Sequence, residues 1–386
     1  MINCNYRKDY DAVFCVRDAS LPQKVRRFMA KKRIAILFGG TSPEHDISCM
    51  SAWHLLQNMP AGFETVCIGI TRKGRMLYYP GGPGGIRTGE WESYPDSCSC
   101  IFSTDDSKTG IYKLMDDGSA SYLALDCVFP VLYGKRGEDG KFQGILECSG
   151  IPFVGSGACT SALCMDKGFA HMILTAAGIK MSRYITVRRD ETLSIPSLIK
   201  QIEYSFGFPV YVKPACANTA GGIFHASRPE ELERAVKMAF VHDSKVLIKE
   251  AIRGRQIKCG LIGNDLSNIE VSPLGEITID PDFVPETSYE SAPQALHIPA
   301  DLPEETADLI RRTAIHAFDT AECAGAASID FFLTESGEVY LNQLNTVPGF
   351  SPVSIFPMLW EAAGVDMEEL IERLIALAFE KADVEY

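Results

Sequence analysis

Apolar runs and alternating stretches divide this chain into a series of strands and helices. Arg33-Ile34-Ala35-Ile36-Leu37-Phe38 has the unbroken hydrophobicity of a strand buried on both faces, and Gly39-Gly40 follows it. The spacing then predicts a helix over 43–58 and a strand over 65–70. Residues 76–120 are rich in Gly, Pro, Ser and Asp and read as a loop-rich insertion. A second buried strand over 127–132 leads into the loop 133–140. This alternation of strand and helix predicts a parallel α/β sheet.

From about residue 151 the pattern changes to that of a small α+β module. Helices are expected over 162–177, 195–204 and 229–240, with strands near 184–187, 209–214, 222–225 and 245–249. The rest carries further strands, a helix over 303–323, a hairpin and a final helix over 367–381. The expected division is an N-terminal extension (1–31), an α/β domain (32–155), a central subdomain (156–250) and a C-terminal subdomain (251–386). No internal repeat is seen.

The hairpin holds the densest polar chemistry. Ala326-Ala327-Ser328-Ile329-Asp330-Phe331-Phe332-Leu333 precedes Ser336-Gly337, and Val339-Tyr340-Leu341-Asn342-Gln343-Leu344-Asn345 follows. A two-residue turn at Ser336-Gly337 places Asp330 opposite Gln343 and Ser328 opposite Asn345. Side chains alternate with a period of two, so these four share a face. One carboxylate beside two amides is a sparse site for Mg²⁺ bound together with phosphate, or else a set of strand-end groups satisfying local backbone.

Other positions carry two readings each. Thr41-Ser42-Pro43-Glu44 is either a capping box or a motif that offers Glu44 to a ligand ammonium at the mouth of the sheet. Lys213 closes an apolar strand and either snorkels outward or meets an anion. The small residues Ala217-Asn218-Thr219-Ala220-Gly221-Gly222 can expose backbone N–H groups to phosphate or can be a plain turn. Lys167, on spacing alone, reads as a solvated helix lysine.

Composition narrows the field. At 386 residues the chain should hold two or three packed domains, and 46% hydrophobic with 23% charged residues is ordinary for a globular protein. A formal charge of −13 argues against a nucleic-acid partner. Thirteen scattered cysteines fit free thiols in a reducing cytoplasm. No apolar run is long enough to span a membrane, and the N-terminus lacks a signal-peptide pattern.

Taken together, the motifs resemble those of the D-alanine–D-alanine ligase family, which includes D-alanine–D-serine and D-alanine–D-lactate ligases and has the ATP-grasp fold. The matches run from about Arg33 to the C-terminus: residues 37–48, 137–144, 150–157, 165–167, 212–214 and 342–350. The resemblance implies an α/β ATP-grasp protein, with a parallel-sheet N-terminal domain followed by central and C-terminal α+β domains. It further implies a cytoplasmic homodimer that makes peptidoglycan precursors. Using ATP and Mg²⁺ (or Mn²⁺), such enzymes phosphorylate D-alanine's carboxylate, and a second D-amino or D-hydroxy acid then attacks the acyl phosphate.

Carried over by position, Glu44 would take the first substrate's ammonium, and the Gly349 N–H would face the oxyanion. Ser354 would meet the second substrate's carboxylate, and Tyr289 would lie on the closing loop. Lys167, Lys213, Thr219 and Gln256 would contact the nucleotide. Asp330, Gln343 and Asn345 would hold the metal.

Several positions depart from the family pattern. Gln343 replaces a metal-binding carboxylate, Ser328 an arginine that stabilises the transition state, and Ser288 a loop lysine. Ala217-Asn218-Thr219-Ala220 replaces Glu-Gly-Ser-Ser, Gln256 a ribose-binding Glu, Lys249 an adenine-side Glu, and Tyr133 a His. Three readings follow: a ligase that is slow or altered in metal handling, a paralogue that binds without catalysis, and an ATP-grasp ligase with another substrate pair.

Overall fold

The computed structural model describes residues 31–105, 107–189, 194–216, 222–279 and 294–385. The expected extension, save for Lys31, lies outside them, as do Thr219, Ser288 and Tyr289.

The first sheet is built on β1 (Lys32–Gly39), flanked in parallel by β2 (Phe63–Ile70) and β7 (Cys127–Pro130). Burial explains the apolar run of β1. Ile34, Ile36 and Phe38 face one core, shared with helix α1 (His45–Gln57), while Ala35 and Leu37 face another with Val66 and Ile68. Short helices α2 (Pro83–Thr88) and α3 (Lys141–Cys148) complete this region.

The segment expected to be a loop-rich insertion is largely sheet. Strands β3 (Met76–Tyr79), β4 (Cys98–Phe102), β5 (Gly110–Leu114) and β6 (Ala120–Ala124) extend the sheet antiparallel from β2, in the order β6-β5-β4-β3-β2-β1-β7. The sheet is therefore mixed, with a parallel core. Frequent turn residues and the half-exposed alternation of β6 concealed these strands from a hydrophobicity reading.

A four-stranded antiparallel sheet follows, in the order β10-β9-β11-β8: β8 (Tyr184–Arg188), β9 (Val210–Pro214), β10 (Phe224–Ala226) and β11 (Lys245–Glu250). The helix expected over 162–177 is two helices, α4 (Ala158–Met165) and α5 (Lys167–Ala176). Asp166 separates them with extended backbone, and its Oδ1 accepts from the N–H groups of Gly168 (2.9 Å) and Phe169 (3.2 Å). This is an N-cap, which sequence periodicity cannot see. Helices α6 (Ile195–Ser205) and α7 (Pro229–His242) pack on the sheet through Leu198, Ile202, Leu232 and Val236.

The third sheet runs β15-β14-β12-β16-β17, with β13 beside β12: β12 (Arg255–Gly263), β13 (Glu270–Val271), β14 (Gly275–Ile279), β15 (Gln294–His297), β16 (Gly325–Leu333) and β17 (Val339–Asn345). Helix α8 (Glu304–Thr320) covers one face, and α9 (Ile355–Glu361) and α10 (Met367–Glu385) follow. Leu370 and Leu374 of α10 enter the same core as Ile34 and Phe38, so the C-terminal helix joins the first sheet to the third. No helix among the described residues is long and apolar enough to cross a membrane.

Hairpin β16–β17 has the expected pairs, reached by a different route. Asp330 faces Gln343 and Ser328 faces Asn345. The loop, however, has three residues, because the Thr334 N–H donates to Glu338 O at 3.0 Å, with Gly337 at φ +81° in the left-handed region. A bulge then shifts the register, so Phe331 faces Leu341 and Asn342 is the extra residue. The two offsets cancel. The bulge lets Val339, Leu341 and Leu344 all point into the core while Gln343 and Asn345 remain beside Asp330.

Candidate active site

Glu44 ends the turn that leads from β1 into α1. The capping-box alternative is not realised: no side chain caps α1, whose N-cap residue is Glu44 itself. The residue is buried, at 8% exposure, and its Oε2 has no protein hydrogen-bond partner. A buried carboxylate oxygen without a donor is a binding position for a ligand cation. Its surroundings are held firmly: Ser42 Oγ donates to Tyr133 O (2.7 Å), and Ser48 Oγ accepts from the Gly39 N–H (2.7 Å). Gly134 lies so close that a Cβ there would stand 2.6 Å from Glu44 Oε2, and its φ of +71° also favours glycine.

The residues that the resemblance assigns to the substrates converge through Tyr133. Its hydroxyl donates to Ser51 Oγ (3.0 Å) on α1 and accepts from the Phe350 N–H (3.2 Å), next to Gly349. At Gly349 any Cβ would meet Ser354 Oγ at 2.6 Å. Ser354 Oγ in turn accepts from the Ser351 N–H (3.0 Å) and bonds Ser351 Oγ (2.8 Å). Glu44, Gly349 and Ser354 are thus tied to one scaffold.

Glu138, which sequence reading passed over within its Gly-rich stretch, joins them. Burial pushes its carboxyl up from 4.5 to about 8; the Gly134 N–H, donating to Oε2 at 2.6 Å, opposes this, and the nearby Glu44 adds to it. Between pH 4.5 and about 8 the unfolded chain ionises here while the folded chain keeps its proton, so this contribution to stability falls as pH rises through that window. Glu138→Gln, a mimic of the protonated form, is expected to remove the decline, which at its steepest is roughly 1.4 kcal/mol per pH unit. Urea unfolding between about pH 5 and 8 checks this; identical slopes for wild type and variant would contradict it.

Three lysines gather at the central sheet. Lys167, which spacing alone reads as solvated and the resemblance assigns to the nucleotide, has its ammonium drawn inward. Burial lowers its pKa, and Cys216, Glu138, Asp166 and Asp243 oppose that shift. Lys213 and Lys249 share one face of the central sheet, because Leu247 pairs with Lys213 and Lys249 with Tyr211. Lys249 is buried, at 6% exposure, and donates to Asn342 O (3.4 Å). Burial, then repulsion from Lys213 and Lys167, holds its pKa well below the usual lysine value. A cluster in which Lys249 is repelled by both Lys213 and Lys167 suits a polyanion such as a nucleotide's phosphates.

The hairpin face is completed by a residue that sequence reading missed. In the β12–β16 register Lys258 stands directly opposite Asp330 and Gln256 opposite Phe332, so Gln256 and Lys258 share the face of Ser328, Asp330, Gln343 and Asn345. Lys258 Nζ lies 3.0 Å from Asp330 Oδ1. Strand β12 shows Lys258 only as one polar position in an alternating segment. Its partner emerges once the strands are paired.

These residues do not fit the expected divalent ion. Asp330 is the one carboxylate of the set and is ion-paired to Lys258, while Gln343 and Asn345 offer only neutral amide oxygens, that of Asn345 shared with the Val347 N–H (3.0 Å). Among the described residues, no group of three or more His, Cys, Asp or Glu side chains could hold a metal. Lys167, Gln343, Asn345 and Glu138 do line one small cleft together.

Comparison with known proteins agrees with the fold and the motifs. Residues 33–156 match the family model "D-ala D-ala ligase N-terminus" and residues 173–376 match "D-ala D-ala ligase C-terminus". The D-alanine–D-alanine ligase of Caldicellulosiruptor bescii is 40% identical over 357 residues, covering 92% of this chain and 96% of that protein. That of Acetivibrio thermocellus is 40% identical over 367 residues, covering 91% and 96%. Among solved structures, the VanG D-Ala:D-Ser ligase of Enterococcus faecalis superposes with a TM-score of 0.82 at 33% identity, covering 90% of this chain and all of the other. With both parts of one family's model matched in order and relatives aligned almost end to end, this chain belongs to the D-alanine–D-alanine ligase family, of the ATP-grasp fold.

Proposed function

We propose that the protein is a cytoplasmic, ATP-dependent ligase that joins D-alanine to a second D-amino or D-hydroxy acid for peptidoglycan precursors, working as a homodimer. The observation that carries this reading is the buried, donor-less Oε2 of Glu44, set in a scaffold that also fixes Gly349 and Ser354. A zwitterionic amino acid supplies the missing cation and offers a carboxylate at the same time. Glu44 would bind the ammonium, the Gly349 N–H would face the oxygen where charge develops, and the Ser354 hydroxyl would orient the second substrate's carboxylate. Lys167, Lys213 and Lys249 favour ATP's phosphates. Gln256 would face the ribose, and the family pattern assigns Thr219 and Tyr289 to the nucleotide and the closing loop.

Release of phosphate from ATP, stimulated by D-alanine and assayed with D-alanine, D-serine or D-lactate as second substrate, tests the reading. Glu44→Ala should weaken D-alanine binding by about 2–5 kcal/mol, the usual loss when one member of a buried ion pair is removed. Titration of D-alanine would reveal the loss. Amino-acid binding without phosphate release would leave a binding protein in place of an enzyme, and equal affinity in Glu44→Ala would remove Glu44 from the site.

A further inference from the structure

Asp330, to which the resemblance assigns the divalent ion, already faces a cation of the protein's own. Lys258 reaches across the β12–β16 pair to Asp330, with side chains 21% and 32% exposed, and Asp330 stands opposite Gln343, which lines the cleft. The second carboxylate that would balance two positive charges is Gln343, directly opposite Asp330 on the other flank. Asp330 thus meets a lysine on one side and a neutral amide on the other. Its single negative charge is matched by a single positive one. Lys167, Lys213 and Lys249 add positive charge nearby, where Lys249 already feels the other two.

A magnesium ion bridging to phosphate normally needs one or two carboxylates free of other cations. From this disagreement we infer that the site takes the phosphates of a nucleotide without a divalent ion, with Lys258 neutralising phosphate charge from the ion's place. An ammonium is a compact point charge with three donors, able to serve Asp330 and a phosphate oxygen together. The inference rests on the nucleotide half of the proposed function and is independent of turnover.

Calorimetric titration of the full chain with a non-hydrolysable ATP analogue, in EDTA and in excess Mg²⁺, tests it. Similar affinity in both is expected, as is the absence of saturable Mn²⁺ binding without nucleotide. Lys258→Met should weaken metal-free nucleotide binding by roughly tenfold, the loss of one charge-assisted contact. Lys258→Met with Gln343→Glu should create Mn²⁺ binding and make nucleotide affinity depend on Mg²⁺, and thermal melts of each variant report whether it folds. Wild-type affinity that rises tenfold or more with Mg²⁺ overturns the inference. So does unchanged metal-free affinity in a folded Lys258→Met, or no nucleotide binding in either buffer. Failure of phosphate release alone strikes the ligase reading and leaves this one standing.

Discussion

Ser328→Arg, Gln343→Glu and Lys258→Thr combined should raise D-alanine-dependent phosphate release by about a hundredfold or more. The reason is electrostatic. A carboxylate restored at 343 would add a second negative charge beside Asp330 for a divalent cation to bind, and each pair of opposite unit charges about 4 Å apart at an effective dielectric of about 20 attracts by roughly 4 kcal/mol. An arginine at 328 would stand on the same face as Asp330, aimed where phosphoryl charge develops, and a single such preorganised donor is commonly worth about 10²–10³ in rate. Removing Lys258 frees Asp330 from its present partner. Gln343→Glu alone should do much less, because Lys258 remains to pair with the new carboxylate. Steady-state phosphate assays with Mg²⁺ decide the matter. A folded, nucleotide-binding triple variant no faster than the parent would show that these positions do not limit turnover.

The second large effect concerns stability. Asp166→Ala should destabilise the fold by about 3–5 kcal/mol, the usual result of stripping one partner from a largely buried ion pair. Lys245 Nζ lies 2.7 and 2.9 Å from the two carboxylate oxygens, and the two side chains are only 11% and 12% exposed. The same carboxylate caps α5, which adds about 1 kcal/mol. Burial alone would raise the Asp166 pKa, but hydrogen bonds from Lys245, Phe169 and Gly168 outweigh it and hold the group below its usual 3.8. Its stabilisation is therefore present above pH 3.8 and fades as pH falls through the lower folded value. Urea titrations near neutral pH measure the loss. A change under about 1 kcal/mol would mean that Lys245 finds water once Asp166 is gone.

What the sequence made readable was mostly local. The apolar run of β1, the helices with clear periodicity and the polar face of the final hairpin are each carried by neighbours along the chain. The facing of Asp330 with Gln343 is an example, since one loop brings them together. Lys258 was hidden because its meaning depends on which strand lies beside β12, and that is fixed by long-range pairing. Glu138 was hidden for a similar reason. Its neighbour Glu44 belongs to a different turn, and the repulsion between them exists only after folding. Spacing alone misled at Lys167 because it marks a surface position, whereas the break between helices at Asp166 leaves the ammonium buried near Glu138 and Cys216. The short strands of residues 76–120 were masked by their turns.

The bulge in the hairpin was visible in principle, as the two consecutive polar residues Asn342-Gln343 in a strand that otherwise alternates. Deleting Asn342 would leave the pairs Leu341–Phe331 and Gln343–Asp330 intact and make the ladder regular. Yet Asn342 contributes the carbonyl to which Lys249, from the central sheet, donates. The surplus residue is a tether: one amino acid beyond what the hairpin needs, whose carbonyl takes a hydrogen bond from a different sheet.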